Sequence, residues 1–335
     1  MLRAPDAYQQ GMEEIGRAVE YHESYAELNA STLESLGNRL SQPISAVPAF
    51  LPSWAKRCRE FGGGKGWAPD WYIVVGGRTG LGKSVVGGNA LHHALMSSVS
   101  VCLHSTEMEW DSNSVRALSI ITGTEMWRLE PGASFSREHF DRATQTLQDI
   151  CDSTGAKYIS NKRRRRKLKD VTDGILCAWE VGGAQFHVVD YMQLISTGSG
   201  GYYSEDVNAR MAEISDGVMR VTEDNHLVTM ALSQLNREGI KADRRPEPYM
   251  LHGGSALEND ARQVMLMDHT RIYDTADRDG GWNGWMILAK NRHGPAGVSC
   301  DIPIHVSRRT LRIRERMDDE VALGEKIEPN RPKPR

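Results

Sequence analysis

The sequence predicts an α/β protein with a mostly parallel central sheet that is flanked by helices. Two observations predict this class. Short apolar runs alternate along the chain with longer segments in which apolar residues recur at helical spacing. In addition, a glycine-rich segment at residues 77–84 joins one apolar run directly to a helix-compatible stretch, which is how a strand is connected to its following helix in this class.

The individual elements follow from the same alternation. The predicted strands are residues 71–75, 99–104, 157–160, 186–189, 227–232, 264–269, 284–289 and 298–304. The predicted helices are residues 83–96, 112–121, 137–152, 171–181 and 207–225. Because a helix lies between most successive strands, we expect parallel pairing and helices on both faces. Pro43, Pro48 and Pro52 are expected to interrupt regular structure before the first strand.

The chain is expected to contain three regions. Residues 1–43 form a short N-terminal helical linker whose apolar stripe is too narrow to build its own core. That stripe must rest on the main domain or on a neighbouring subunit. Residues 44–317 form the main α/β domain, and the polar, proline-rich residues 318–335 form a disordered tail.

Composition excludes several classes of protein. With 39% hydrophobic and 25% charged residues, the chain has the composition of a soluble globular protein, and no apolar run approaches the about 20 residues of a membrane span. No secretion signal is recognisable. The five cysteines are scattered and lack metal-finger spacing, which argues against a zinc site and a disulfide framework and is typical of reduced residues in a cytoplasmic protein. A net charge of −3 confines any contact with nucleic acid to local patches.

The glycine-rich segment is a complete GxxxxGK[ST] motif. Its residues are Gly77, Arg78, Thr79, Gly80, Leu81, Gly82, Lys83 and Ser84. Such a loop at a helix N-terminus directs several backbone N–H groups at one point, which suits a polyphosphate. Lys83 would reach the β- and γ-phosphates and Ser84 would bind Mg²⁺. The alternative, a flexible surface loop, is disfavoured because four fixed positions match by chance only about once in a hundred such chains.

Three polar residues that follow apolar runs are candidates for a hydrolytic site. Asp190 ends a run in the Walker B form and would hold Mg²⁺, although an Asp at a strand end is by itself often a helix cap. Glu107 can polarise an attacking water, or it can be an ordinary residue at a helix start. Gln234 can sense the γ-phosphate, or it can make structural hydrogen bonds.

Two groups of cations are further candidates. Lys290 and Arg292 end a predicted strand and project to the same side, and the fork of an arginine suits a phosphate oxygen. The second group is the densest basic run in the chain, which is compatible with a solvated face and equally with a strip that contacts nucleic-acid phosphates. Its arginines are Arg163, Arg164, Arg165 and Arg166.

Six motifs, taken in order, resemble the C-terminal motor domain of the DnaB family of replicative helicases, which are RecA-like ATPases. The motifs are residues 77–84, 105–108, 190–194, 231–237, 255–261 and 290–295. The resemblance covers residues 44–316 and implies a RecA-like P-loop NTPase fold with ATP and Mg²⁺ as cofactors. Only residues 1–43 precede the motor, so the family's helical N-terminal domain and its primase contacts are expected to be missing.

The resemblance also implies a ring, usually a hexamer, with ATP sites between subunits. On this template the phosphate loop acts with Glu107, Asp190 and Gln234 of the same subunit. Arg292, as an arginine finger, and Lys290 would reach the γ-phosphate bound by the neighbouring subunit. The implied activity is that of an ATP-hydrolysing DNA helicase that moves 5′ to 3′ on single-stranded DNA, with a loader or accessory protein as a further partner.

The resemblance assigns DNA contact to two polar loops at residues 196–204 and 237–254, which would line the channel and follow the strand by its backbone. The family's usual acidic-Leu-basic-acidic-Ser-Gly segment is replaced here by a sequence that ends in Gly253 and Gly254, whose backbone N–H groups can still bind phosphate. The cations expected to contact DNA are Lys241, Arg244 and Arg245.

Three alternatives stay open at this point. A DnaB-derived ATPase of a defence or mobile-element system could use ATP as an assembly switch on DNA without unwinding it. A recombinase-like or clock-like ATPase has the same fold, but the motifs at residues 233–237 and 290–295 argue against it. A simple nucleotide kinase has no need for Lys290 and Arg292 in trans.

Overall fold

The structure, a computed structural model, describes residues 46–58, 66–130, 137–161, 167–197, 207–236, 245–268, 281–297 and 300–316. All of these residues belong to one compact unit. The predicted linker and tail lie outside the described residues, so the domain boundaries stay predictions. Within the described ranges, no helix combines the length and the apolar composition needed to cross a membrane.

The described residues form a central sheet of nine strands and a separate strand pair. The pair joins β1 (Val47–Pro48) to β2 (Gly66–Trp67). The central strands are β3 (Trp71–Gly77), β4 (Val101–Ser105), β5 (Tyr158–Ser160), β6 (Phe186–Asp190), β7 (Val228–Gln234), β8 (Gln263–Asp268), β9 (Trp282–Asn291), β10 (Ile302–Val306) and β11 (Ile313–Glu315). Their order is β5-β4-β6-β7-β3-β8-β9-β10-β11, with parallel pairing from β5 to β8 and antiparallel pairing from β8 to β11.

Helices cover both faces of this sheet. They are α1 (Pro52–Arg57), α2 (Lys83–Met96), α3 (Trp110–Thr122), α4 (Met126–Leu129), α5 (Arg137–Thr154), α6 (Leu168–Glu180), α7 (Val207–Asp224) and α8 (Gly254–Asp260). Side chains alternate between the faces along a strand, so Ile73 of β3 packs in the same cluster as α2, whereas Val74 packs in the same cluster as α6 and α7. The predicted α/β class, with a mostly parallel sheet flanked by helices, is confirmed.

Each of the eight predicted strands overlaps an observed strand, and each of the five predicted helices overlaps an observed helix. The sequence analysis missed α1, α4 and α8, because four to seven residues are too few to show a helical period. It also missed the two-residue strands β1 and β2, and β11, which is only partly buried. Pro43 lies outside the described residues. The expectation that Pro48 and Pro52 interrupt regular structure was wrong: Pro48 lies in β1, and Pro52 is the first residue of α1, where its missing N–H is not needed.

A buried glutamine on β8 joins the segments around the start of the sheet. Oε1 of Gln263 accepts hydrogen bonds from the indole N–H of Trp54, at 3.0 Å, and of Trp67, at 3.1 Å. Nε2 of Gln263 donates to Oδ1 of Asn291 on β9 at 3.1 Å. Gln263 has no exposed surface, so these partners replace water completely. One amide therefore holds α1, β2 and the end of β9 together.

We predict that Gln263→Leu lowers the free energy of unfolding by about 2 kcal/mol or more, because two buried indole N–H groups lose their acceptor and each unsatisfied donor costs about 1–3 kcal/mol. Urea denaturation measures this change. Gln185→Leu is the matched control, because Gln185 is an exposed residue and its substitution should alter stability by less than about 0.5 kcal/mol. Equal effects of the two substitutions would contradict the assigned role of Gln263.

Candidate active site

The glycine-rich loop connects the end of β3 to the start of α2. Gly77 still belongs to β3 and lies opposite Gln234 of β7. Gly82 immediately precedes α2 with a φ of 85°, in the left-handed region that favours glycine. The N–H of Val86 donates to the Gly82 carbonyl at 3.0 Å and so starts the helix. The predicted strand, loop and helix therefore follow one another without interruption, which places the loop at a helix N-terminus.

Lys83 is buried against this loop. Its Nζ donates to the carbonyl oxygen of Arg78 at 3.2 Å. A Cβ at Gly77 would lie 3.1 Å from Cγ of Lys83, so a glycine at that position lets the lysine stem pass close to the strand. Burial lowers the pKa of Lys83, and the nearby carboxylates of Asp190 and Glu107 oppose this effect. The ammonium group thus lies between the loop and two acidic side chains.

Asp190 and Glu107 reach this position through two neighbouring strands. Ser105, the last residue of β4, lies opposite Asp190, the last residue of β6. Beyond the strand, the N–H of Thr106 donates to the Asp190 carbonyl at 2.8 Å, and the hydroxyl of Thr106 contacts the same backbone. Glu107 follows directly and is exposed, whereas the Asp190 side chain is buried. One carboxylate is therefore enclosed and the other is accessible at the same edge of the sheet.

The charge state of Asp190 reflects four neighbours and its burial. Burial raises the pKa of Asp190, and the charge of Glu107 raises it further. A hydrogen bond with the Ser84 side chain and the charges of Lys83 and Arg116 act in the opposite direction. Arg116 lies on α3 and was missed by the sequence analysis, because nothing in its local pattern distinguishes it from other helix cations.

The donor set fits a magnesium ion. Ser84 and Asp190 contribute hard oxygen atoms, which Mg²⁺ prefers. Oδ1 of Asp190 is buried and makes no hydrogen bond within the described structure, so it can accept a further ligand. Coordination of Mg²⁺ by these two residues stays a prediction that the donor set supports.

Gln234 pairs with Gly77, the first residue of the phosphate loop, and its backbone also makes hydrogen bonds to two other segments. Its N–H donates to Oε1 of Gln193 at 3.1 Å, and its carbonyl accepts from the N–H of His252 at 2.8 Å. Nε2 of Gln193 donates to Oγ of Ser233 at 2.7 Å and to the His252 carbonyl at 3.2 Å. Gln193 lies within the motif at residues 190–194, but the sequence analysis gave it no separate role.

Lys290 and Arg292 lie at the side of the sheet where the parallel strands begin, opposite to the side that carries the phosphate loop. Asn291 between them pairs with Gln263, which in turn pairs with Ile73 near the start of β3. Ile73 is four residues before Gly77, a distance of about 13 Å along a strand. The other end of β9 is the one near the phosphate loop, since a Cβ at Gly82 would lie 3.9 Å from the ring of Trp282. Within one chain, the cations and the loop are therefore far apart.

Both cations contact the C-terminal end of α8. Nζ of Lys290 donates to the carbonyl oxygens of Glu258 and Asn259, and Nη2 of Arg292 donates to the Asn259 carbonyl. Cations at a helix C-terminus are favoured by the helix dipole. Burial lowers the pKa of Lys290, and the charge of Arg292 adds to the effect. Arg292 itself is exposed.

The predicted DNA contacts are only partly within the described residues. Lys241, Arg244 and the arginines at 163–166 lie outside them. Arg245 forms a two-point ion pair with Asp301, with Nη2–Oδ1 at 2.6 Å and Nε–Oδ2 at 3.1 Å. Gly253 precedes α8, and Gly254 is the first residue of that helix. Contact between any of these residues and DNA stays a prediction.

The basic run and the first predicted DNA loop are neighbours where the structure describes their ends. Lys167, the last residue of the run at residues 162–167, forms a parallel bridge with Ser196, the first residue of that loop. The N–H of Leu168 donates to the Ser196 carbonyl at 2.9 Å. The two segments therefore begin or end at one point on the surface.

Comparison with known proteins decides the family. The sequence profile of the DnaB-like helicase C terminal domain matches residues 63–310. The chain belongs to this family. The replicative DNA helicase DnaB of Pasteurella multocida is 26% identical over 242 residues, which cover 69% of this chain and 49% of the relative. The Helicobacter pylori DnaB is 26% identical over 280 residues, covering 78% and 55%. The chain spans about half the length of the curated relatives it matches.

Two solved structures have the same fold. A DnaB-like replicative helicase, described together with its interactions with primase, superposes with a TM-score of 0.68 at 17% identity, covering 93% of this chain and 74% of that chain. A solved ATPase domain superposes with a TM-score of 0.67 at 17% identity, covering 86% of this chain and 97% of that chain. The RecA-like fold implied by the six motifs is thus confirmed, as is the resemblance to the DnaB motor domain.

We predict that Asp190→Asn raises the free energy of unfolding at neutral and alkaline pH when nucleotide and magnesium are absent. Burial raises the folded-state pKa of Asp190 above its unfolded value of about 4, so the ionised form is the costly one. The difference between variant and wild type should therefore be absent below the unfolded pKa and grow as pH rises through the folded pKa.

Urea denaturation in chelator across this pH range measures the difference. Asp149→Asn on α5 is the control, since Asp149 is exposed and its substitution should leave the pH dependence unchanged. A stability loss in Asp190→Asn at neutral pH would contradict the prediction.

Proposed function

We propose that this protein is an ATP-hydrolysing, ring-forming helicase or translocase of single-stranded DNA. The observation that carries the proposal is the arrangement of Ser84, Asp190 and Glu107 around the phosphate loop. Arg292 of the same chain lies at the opposite side of the sheet, where the parallel strands begin. Membership of the DnaB-like family supports it. The curated relatives bear the name replicative DNA helicase.

The proposed reaction is transfer of the γ-phosphoryl group of ATP to water. The loop amides and Lys83 bind the phosphates, and Ser84 and Asp190 hold Mg²⁺, which when bound offsets the negative charge of the phosphates. Glu107 accepts a proton from the attacking water, a role that its exposure at this edge allows. Asp190 is enclosed, so it serves as a ligand and is less suited to contact bulk water.

A complete site requires a second subunit in this proposal. Lys290 and Arg292 are about 13 Å or more along the sheet from the loop of their own chain, so they can complete only the site of a neighbour. Contacts between unlike surfaces of identical subunits generate a closed ring when the rotation between neighbours closes. We propose a hexamer, with Arg292 as the arginine finger and Lys290 as its companion.

Gln234 links the nucleotide to DNA in this scheme. Its backbone is hydrogen-bonded to Gln193 and to His252, directly before Gly253 and Gly254. A change in the contact between Gln234 and the γ-phosphate would therefore move the segment that we propose to contact the DNA backbone. Such contacts are electrostatic and independent of base sequence.

The remaining DNA contacts are proposed for the loop cations Lys241 and Arg244 and for the basic run. The bridge between Lys167 and Ser196 supports a joint contribution of the run and the first loop. Arg245 would have to leave Asp301 to bind phosphate, so it is the weakest candidate of the three loop cations. A loader or accessory protein and a cytoplasmic location belong to the same proposal.

We predict that single-stranded DNA stimulates the ATPase activity, and that Lys83→Ala, Glu107→Gln and Arg292→Ala each lower kcat by about 100-fold or more, as removal of transition-state contacts does. Mixing Arg292→Ala chains with Glu107→Gln chains should restore part of the activity, because some interfaces then combine an intact Glu107 with an intact Arg292. Steady-state phosphate release measures both effects. Arg220→Ala on an exposed face of α7 is the control and should retain wild-type activity. Absence of rescue in the mixture would exclude action in trans.

We further predict that the protein displaces a strand from a forked duplex in the presence of ATP, and that a 5′ single-stranded tail is required. A fluorescence assay with 5′-tailed, 3′-tailed and blunt substrates measures the polarity. Lys83→Ala is the matched control without hydrolysis. Robust DNA-stimulated ATPase activity with no displacement of any substrate would instead favour the assembly switch.

A further inference from the structure

Three metal-ligating side chains meet on one face of β4 and β6. Cys102 and His104 are two residues apart on β4 and therefore point to the same side, and His187 lies opposite Cys102 in the parallel register. One ligand atom from each residue lies within 4.8 Å of the other two. Nε2 of His104 is 3.1 Å from Nδ1 of His187.

The cluster is buried and partly lined by small apolar residues. Cys102, His104 and His187 are 2%, 1% and 0% exposed. Cys102 packs with the small residues Ala178 and Ala184. Polar side chains in such a place cost free energy unless they have partners, and aliphatic side chains would satisfy packing equally well. Three adjacent ligating residues at buried positions are therefore more than packing requires.

The backbone around His187 orients its ring as a ligand. Nε2 of His187 is 3.1 Å from the Ala184 carbonyl, an acceptor only, so Nε2 carries the proton and Nδ1 carries the lone pair. A histidine whose second ring nitrogen donates to a backbone carbonyl is the usual arrangement around protein-bound metals. Nδ1, the nitrogen left with a lone pair, is the one that faces His104.

We propose that Cys102 Sγ, His104 Nε2 and His187 Nδ1 form a binding site for one thiophilic d¹⁰ cation, zinc(II) or copper(I). Thiolate and imidazole are the ligands that these ions prefer. Metal–nitrogen bonds of about 2.0–2.1 Å at tetrahedral or trigonal angles place two ring nitrogens about 3.3–3.6 Å apart, close to the observed separation. Cys102 Sγ would complete the set by a small side-chain movement.

Binding requires two proton movements. The thiol of Cys102 loses its proton to solvent, and the ring of His104 moves its proton from Nε2 to Nδ1, so both rings stay neutral. One thiolate neutralises copper(I) completely and leaves zinc(II) with one net positive charge. Because uncompensated charge is costly at a buried site, the burial of this cluster favours the monovalent ion. Zinc(II) would also need a fourth ligand.

The sequence analysis argued against a zinc site because metal fingers draw their ligands from nearby positions. Here the two histidines are 83 residues apart in the chain and meet only because β4 and β6 pair. The same two strands end beside Glu107 and at Asp190. A cation bound to the cluster would therefore fix two strands that carry the candidate active site, without touching its ligands.

The experiment uses the full chain, freed of metal by a chelator under reducing, oxygen-free conditions. One equivalent of zinc(II), or of copper(I) supplied as a soluble complex, is added, and bound metal is measured by mass spectrometry after desalting. We expect about one ion per chain and a rise in Tm of several degrees with at least one of the two cations. Cobalt(II) should give a thiolate charge-transfer band.

Cys102→Ala should lose the cobalt(II) charge-transfer band and should bind whichever of zinc(II) and copper(I) the wild type binds at least about 100-fold more weakly. Its far-ultraviolet circular dichroism spectrum should be unchanged. Cys177→Ala is the matched control, because the Cys177 thiol on α6 is exposed whereas the cluster is buried, and it should behave as wild type. His187→Gln provides a second variant if Cys102→Ala is poorly folded. Absence of binding with both cations, or equal loss in Cys177→Ala, would overturn the proposal and leave a hydrogen-bonded histidine pair only.

Discussion

The parallel pairing of β3, β7, β6 and β4 is the constraint on which the rest of the molecule depends. It brings Gly77 level with Gln234 and Ser105 level with Asp190, so four segments that are remote in sequence end at one edge. Side chains alternate along a strand, and a slip of one residue in β6 would turn Asp190 to the α6 face, away from Lys83. The positions of the candidate active-site residues therefore depend on the register in which these four strands pair.

The same arrangement places charged groups where they are costly. Asp190 is enclosed, with its pKa raised by burial, and Lys83 is buried with its pKa lowered. Neither group is well solvated in the chain by itself. Binding sites for charged ligands often contain groups that lower the stability of the unliganded protein. In our proposal the polyphosphate is the partner of Lys83, and its metal ion is the partner of Asp190. The loop glycines allow the close approach that this requires.

The antiparallel strand β9 runs from the phosphate loop to the cations Lys290 and Arg292, which we propose to act on the site of a neighbouring subunit. Its first residue, Trp282, lies near the phosphate loop, and its last residues lead to Arg292 at the far edge. The turn that carries Arg292 is held by Asn291, which bonds to the buried amide of Gln263. The geometry that keeps Arg292 away from its own phosphate loop also leaves it exposed, so that a second copy of the chain can contact it.

Much of the fold could be read from the sequence because parallel strands buried on both faces appear as continuous apolar runs, and because β3 and α2 flank an unmistakable loop. The site residues could be named from the same patterns, since Lys83 belongs to the loop motif, Asp190 ends a strand and Glu107 lies two residues after one. The short helices and the partly buried β11 gave too weak a pattern. Gln193 and Arg116 could not be singled out, because their neighbours are set by contacts between distant segments.

By itself, the sequence determined the α/β class, the phosphate loop and the family, because these depend on local backbone preference and on the period of burial. Only the tertiary structure decided that Arg292 lies beyond reach of its own loop and that Cys102, His104 and His187 meet. Both depend on which strands pair and in which direction they run. The pairing partners of a strand are fixed by contacts between segments that are remote in sequence, so a local apolar pattern can indicate a strand without indicating its neighbours.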